Sequence, residues 1–139
     1  MKKRSGTAKP LRFYVLDSEA LSLAVHGDRG MVARIKVAAR GEAELVTSPM
    51  ALIEAYDGRL TEQRWDWILS RIRVIDIGKD EARTARRLLA DADLHGHEHA
   101  IDAVLAVIAR SLKGEVTVLT SDVGDLEKLV PERIPVRRV

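Results

Sequence analysis

Short apolar runs alternate along this chain with longer segments whose apolar residues recur at helical spacing. The short runs predict strands over 12–16, 43–47, 73–77, 116–120 and, at a sheet edge, 134–139. The longer segments predict helices over 18–27, 31–41, 48–56, 61–72, 79–92, 99–114 and 122–130. This alternation predicts a parallel, helix-covered α/β sheet, in which a ligand site lies beyond the carboxyl ends of the strands.

Composition narrows the class of protein. With 139 residues, 46% of them hydrophobic and 32% charged, the chain has the size and make-up of one globular domain. The absence of cysteine excludes disulfides, thiolate metal sites and a cysteine nucleophile. No apolar segment follows the basic start or reaches the length of a membrane span, so we expect a cytoplasmic protein without a signal peptide.

Positive charge is concentrated at the two ends of the chain, although the formal net charge is only +2. The basic residues there are Lys2, Lys3, Arg4, Lys9, Arg12, Arg133, Arg137 and Arg138. Basic ends around a slightly acidic middle suit attraction of a polyanion, with a solubilising tail as the alternative. We expect a basic, flexible tail over residues 1–11 and a folded domain over residues 12–139.

Four acidic residues stand among apolar neighbours, where surface acids are not expected. Asp17 ends the run "FYVL", and Asp122 follows "VTVLTS" at the end of the fourth predicted strand. Glu54 is the only charge in "PMALIEAY", and Asp102 is the only polar residue in "AIDAVLAVIA". If the two helical acids face the edge where the strands end, four carboxylates converge there.

A convergent set of carboxylates repels itself unless a cation binds between them, because like charges disfavour ionisation. Mg²⁺ or Mn²⁺ prefers oxygen ligands and supports hydrolysis of phosphodiesters. Each acid also has a simpler explanation. Asp17 and Asp122 suit helix caps, Glu54 can extend to solvent, and Asp102 can pair with a distant arginine.

The segment "LHGHEHA" contributes three histidines, His95, His97 and His99. Two histidines four apart can bind zinc from one helix face, and a histidine near the acids can contact a phosphodiester substrate or donate a proton. Because Gly96 interrupts the predicted helix and no partner motif accompanies the histidines, we interpret the segment as an exposed turn before the Asp102 helix.

The segments "VLDSEALS", "TSPMALIEAY", "HAIDAVLAVIA" and "VTVLTSDVGDL" resemble the PIN-domain ribonucleases, above all the small toxins of VapBC-type toxin–antitoxin systems. Order and spacing agree over about residues 12–137, and the threonine-serine-aspartate after a strand is the most specific part. Two features depart from the pattern. Many members have an aromatic residue where this chain has Leu126, and the basic start of this chain is longer than in many of these toxins. The resemblance implies a three-layer α/β/α sandwich with a parallel sheet of about five strands.

The resemblance also implies a site, in which an acidic cluster binds Mg²⁺ or Mn²⁺ and cleaves RNA. Asp17, Glu54, Asp102 and Asp122 would be its catalytic acids. Asp17, Asp102 and Asp122 would bind the metal, with Glu54 and Asp125 as further candidates. Thr120 or Ser121 would supply a hydroxyl that orients Asp122 or a metal-bound water.

Partners follow from the resemblance as well. Toxins of this kind dimerise and are inhibited by a cognate antitoxin that covers the acidic site, often with an arginine. Two other functions stay open on the sequence: a non-catalytic PIN-like module that docks a basic partner, and another Mg²⁺-dependent phosphohydrolase. Glu19 in "DSE" argues against the haloacid-dehalogenase type, which needs an Asp-x-Asp after the first strand.

Overall fold

The computed structural model describes residues 11–139, so the predicted basic tail lies outside the described residues except for Leu11. The strands of the described part are β1 (Arg12–Leu16), β2 (Glu44–Thr47), β3 (Arg73–Val74), β4 (Glu115–Thr120) and β5 (Val136–Arg138). Its helices are α1 (Ser18–Val25), α2 (Arg29–Ala39), α3 (Pro49–Glu54), α4 (Glu62–Leu69), α5 (Lys79–Ala92), α6 (Gly96–Ser111) and α7 (Val123–Glu127).

The strands form one five-stranded sheet in the order β3-β2-β1-β4-β5, and every pair in it is parallel. β1 and β4 pair along their whole common length, from Arg12 opposite Glu115 to Leu16 opposite Leu119. The parallel sheet predicted from the alternation of elements is therefore confirmed. Since both central strands end at the same edge, the residues that follow them are brought together.

Two apolar cores cover the two faces of the sheet. Phe13, Val15 and Val118 pack on one face with α5, α6 and α7, whereas Leu16 and Leu119 pack on the other with α1, α2 and α4. Buried residues on both faces are the expected result for a parallel sheet whose crossover connections are helices. The architecture is the three-layer α/β/α sandwich implied by the resemblance.

Several observed elements differ from the predicted boundaries by up to three residues at an end, and two of these differences, at β3 and at the start of α6, have a clear physical reason. The strand predicted over 73–77 contains only Arg73–Val74, because β2, against which it pairs, ends at Thr47, and the last hydrogen bond between them runs from the backbone N–H of Ile75 to the Thr47 carbonyl. Ile75 and Ile77 pack against the core that includes residues of α5 and α6. The helix predicted from residue 99 begins at Gly96. A glycine in the first turn costs little, since the backbone N–H groups there have no intrahelical partner.

α6 contributes more buried residues than any other helix of the described part, and its residues from Ala103 to Ala109 lie inside the protein, with Val104 the least covered. Its apolar character is thus explained by packing against the sheet and α5. None of the helices in residues 11–139 combines the length and the apolar character needed to cross a membrane.

Gly114 offers a test of the β1–β4 pairing. Its φ is +155°, and an added Cβ would lie 2.2 Å from the backbone oxygen of Leu11. Gly114→Ala is expected to lower the free energy of unfolding by about 2–4 kcal/mol, because the clashing atom is backbone and the strand starts must separate. Urea denaturation measures the loss. Gly124→Ala is the matched control, since its Cβ would meet no atom within 4 Å.

For that control, the free energy of unfolding should stay constant or rise by up to about 1 kcal/mol, as for an alanine replacing a helical glycine. Equal stabilities of the two variants would contradict the close approach at Gly114.

Candidate active site

Asp17 combines a structural role with a position in the site. It follows β1, is only 8% exposed, and caps α1 by accepting a hydrogen bond from the backbone N–H of Ala20 at 2.8 Å. Its other oxygen accepts from the hydroxyl of Thr120 at 2.5 Å and from the backbone N–H of Ser121 at 3.2 Å. A carboxylate has about four acceptor positions, so three donors leave one for a further ligand.

Thr120 connects the ends of the two central strands. It is fully buried, and its hydroxyl oxygen also accepts a hydrogen bond from the backbone N–H of Asp122 at 2.9 Å. The hydroxyl predicted to orient Asp122 thus acts on the backbone of that residue and on the carboxylate of Asp17. Ser121 is exposed and contributes its backbone N–H instead of its hydroxyl.

Asp122 is the N-cap of α7, where its side chain accepts from the backbone N–H of Asp125 at 3.5 Å. The cap proposed as the simpler explanation is therefore present, but it occupies only one carboxylate oxygen. Asp122 is exposed at the sheet edge, and α7 places Asp125 beside α6.

The side chains of three residues in the described part of the chain bring possible ligand atoms to within 4.8 Å of one another: His99, Asp102 and Asp125. His99 and Asp102 are one turn apart on α6, and Nδ1 of His99 lies 3.8 Å from Oδ2 of Asp102. The same nitrogen lies 3.4 Å from Oδ2 of Asp125. Helices α6 and α7, which contact each other, therefore supply this group.

The electrostatics of the site are centred on Asp102. Burial raises the pKa of the Asp102 carboxyl group to about 6, and the negative charges of Asp122, Asp17 and Asp125 add to the rise. His99 opposes it through its positive charge when protonated. The charges of Asp17, Asp122 and Asp125 therefore all act on the Asp102 carboxyl group, whereas Glu54, the other acid predicted to converge there, is not among these causes.

Glu54 lies at the rim of the site. It is exposed at the end of α3, and its carboxylate accepts a hydrogen bond from the hydroxyl of Ser18, the residue after Asp17. Glu54 is thereby linked to the end of β1, although it does not belong to the group formed by His99, Asp102 and Asp125. Its role as a catalytic acid stays a prediction.

The donors present fit a divalent cation. Ligands on opposite sides of an ion with bonds of about 2.1 Å are about 4.2 Å apart, so atoms within 4.8 Å of one another can share one ion after small movements. Nδ1 of His99 is also buried without a hydrogen-bond partner among the described residues, which a bound cation would explain.

Sequence reasoning underestimated His99 and Asp125. The side chain of His99 is only 15% exposed, so the interpretation of its segment as an exposed turn is wrong for this residue. His99 is grouped with the two aspartates and not with His95, the partner considered for zinc. Its spacing of three from Asp102 in the predicted helix was the available signal, and it was missed because the whole segment was interpreted as an exposed turn.

The sequence alone has no match among protein-family models or curated proteins. The structure is similar to a chain of VapBC2 from Rickettsia felis bound to a DNA fragment from its promoter, with a TM-score of 0.62 and 13% identity. It is similar to a chain of DNA-bound VapBC from Salmonella typhimurium, with a TM-score of 0.62 and 14% identity. Each match covers 91% of this chain and 98% of the other. The chain therefore has a VapC-like PIN-domain fold.

The raised pKa of Asp102 makes a prediction for the metal-free protein. A carboxyl group whose pKa is higher in the folded than in the unfolded state stabilises the fold at low pH and loses that contribution as pH rises from about 4 through about 6. Asp102→Asn should therefore raise the free energy of unfolding at pH 7.5 by about 1–2 kcal/mol, a figure reduced for partial exposure to solvent.

Urea denaturation in EDTA at pH 7.5 and pH 4 measures the effect, and the gain should nearly vanish at the lower pH. Asp66→Asn, which changes an exposed aspartate of α4, should stay within about 0.5 kcal/mol of the wild type at both pH values. A destabilised Asp102→Asn protein at pH 7.5 would show that the carboxylate is favourably paired instead.

Proposed function

We propose that this chain is the toxin component of a type II toxin–antitoxin pair and acts as a metal-dependent endoribonuclease. The observation that carries the proposal is the meeting of Asp17, Asp102, Asp122 and Asp125 at the carboxyl edge of the sheet, on a fold shared with chains of VapBC complexes. A homodimer and a cytoplasmic location belong to the same proposal.

The chemistry follows from the charge of the site. A phosphodiester would be repelled by several carboxylates, so the substrate needs a cation between it and the protein. Bound Mg²⁺ or Mn²⁺ would supply a water of lowered pKa and would offset charge on the phosphate oxygens. Asp102 and Asp125 would hold the cation, together with Asp17 and Asp122 from the strand ends.

The remaining residues position these acids. Hydrogen bonds from Thr120 and Ser121 fix the orientation of the Asp17 carboxylate. The acceptor position that remains free on this carboxylate therefore points in one direction. Glu54, whose carboxylate accepts a hydrogen bond from Ser18 beside Asp17, would place a water or a second ligand. No covalent intermediate is required, which agrees with the absence of cysteine.

RNA cleavage by the purified chain tests the proposal. Cleavage of labelled RNA should require added Mg²⁺ or Mn²⁺, stop with EDTA, and fall at least about a hundredfold in Asp102→Asn, because a ligand is lost while the fold is retained. Asp66→Asn is the control for an aspartate outside the site and should cleave like the wild type.

Cleavage that survives EDTA, or that survives in a folded Asp102→Asn protein, would contradict the nuclease proposal. A folded wild-type protein that binds no Mn²⁺ by calorimetry would favour the non-catalytic module that docks a basic partner.

The antitoxin part of the proposal has its own support in an apolar groove between α3 and α4. The groove has a volume of about 440 Å³ and is lined by Leu52, Ile53, Tyr56, Glu62, Trp65 and Leu69. Ile53 and Tyr56 are 71% and 64% exposed, which is unusual for large apolar side chains of a free surface. A partner segment with apolar anchors would bury them.

The groove adjoins the acidic site through α3. Glu54 follows Ile53 on the same short helix, so a chain seated in the groove would reach the carboxylates with its next residues. An antitoxin segment with apolar anchors and a neighbouring arginine matches this combination of apolar and acidic surface. We therefore place the antitoxin, and not a second copy of this chain, in the groove.

Ile53→Ser and Tyr56→Ser should each weaken binding of the antitoxin at least about tenfold, because exposed apolar anchors are removed without loss of core packing. Calorimetry with the product of an adjacent short reading frame measures the affinity. Leu11→Ser is the matched control, since Leu11 is also exposed and apolar but lies outside the groove.

The alternative occupant of the groove is a second copy of this chain, and light scattering of the free chain tests for it. A fall from dimer to monomer in the groove variants, with antitoxin affinity unchanged, would show that a second copy occupies the groove.

A further inference from the structure

His99 is the residue of the site that the proposed nuclease reaction leaves without a role. It lies on α6 one turn before Asp102, and Nδ1 of its ring points between Asp102 and Asp125. That nitrogen is buried and has no hydrogen-bond partner among the described residues. A buried polar atom without a partner requires an explanation, such as a bound water or ion.

A simple ion pair does not provide this explanation. Charge-assisted hydrogen bonds between a ring nitrogen and a carboxylate are about 2.7–2.9 Å long. Here Nδ1 is 3.4 Å from Asp125 and 3.8 Å from Asp102, so neither carboxylate has closed on it. Separations of this size are those expected between atoms that share a small cation.

The other ring nitrogen has surroundings that agree with a ligand role. Nε2 of His99 lies 3.9 Å from Oε2 of Glu98, the preceding residue. Histidines that bind metals commonly direct their second nitrogen toward a carboxylate, which fixes the tautomer and raises the basicity of the ligand nitrogen. A modest rotation of the exposed Glu98 side chain would complete this contact.

We infer that His99 is a direct ligand of the cation through Nδ1, and that the site therefore prefers Mn²⁺ to Mg²⁺. The inference rests on the metal site of the proposed function, but it depends neither on RNA nor on an antitoxin. Mg²⁺ strongly favours oxygen ligands, whereas first-row transition ions accept imidazole. One nitrogen beside two or more carboxylates selects the ion that accepts both donor types.

Pulsed electron paramagnetic resonance of Mn²⁺ bound to the full chain tests the ligand directly. The wild-type spectrum should contain the coupling of one histidine nitrogen, and this coupling should disappear in His99→Asn. His97→Asn is the matched control, because His97 is exposed on the same helix two residues away. Its spectrum should retain the coupling.

Calorimetry tests the preference between ions. His99→Asn should weaken Mn²⁺ binding about 10–100-fold and change Mg²⁺ binding less than about threefold, because an amide oxygen replaces nitrogen and suits the harder ion. His97→Asn should change neither affinity. An equal loss for both ions would overturn the preference.

The outcomes separate this inference from the proposed function. Bound Mn²⁺ without nitrogen coupling in the wild type, in a protein that cleaves RNA, would overturn the role of His99 alone. Nitrogen coupling that disappears in His99→Asn, in a protein without nuclease activity, would support His99 as a ligand and reject the nuclease. Because a wild-type spectrum without nitrogen coupling overturns the inference by itself, the inference stays falsifiable even if a variant fails to fold.

Discussion

The hydrogen bonds between Asp17 and the Thr120–Ser121 segment are the contacts on which the site depends. They join the ends of the two central strands, which are 103 residues apart in sequence, and they fix a carboxylate that also caps α1. The parallel pairing of β1 and β4 makes them possible, because it brings both carboxyl ends to one edge. Without this alignment, Asp17 and Asp122 would be two unrelated helix caps.

Asp102 is the residue of the site that mainly destabilises the fold. Asp17 and Asp122 accept backbone N–H groups at helix starts, where the partial positive charge of the helix terminus favours a carboxylate. Asp102 lies inside α6, and no hydrogen bond to its carboxylate occurs within the described residues, so burial and neighbouring charges raise its pKa. A residue that destabilises the fold at neutral pH is more readily explained by a ligand than by packing.

Much of this arrangement was predictable from the sequence, and what was missed has identifiable physical causes. Apolar periodicity and caps predict most elements, and the apolar neighbours of Asp17, Asp102 and Asp122 mark them as unusual. The partner of Asp17 was not predictable, since the Thr120 contact requires knowing that β1 and β4 are neighbours. His99 was missed because its segment was interpreted as an exposed turn, although His99 lies three positions before Asp102 in the predicted helix. β3 is short because β2, against which it pairs, ends at Thr47, which the sequence of residues 73–77 does not reveal.

Cap and ligand are compatible roles for the same aspartate. A cap uses one carboxylate oxygen, as Asp122 does toward Asp125, and leaves the second oxygen free. The cap also fixes the backbone of the aspartate, which reduces the conformational entropy that this residue loses when it binds a cation. At Asp122 the cap does more, because α7 carries Asp125 toward His99 on α6. The short helix that would explain Asp122 as structural is therefore also the element that brings Asp125 to His99 and Asp102.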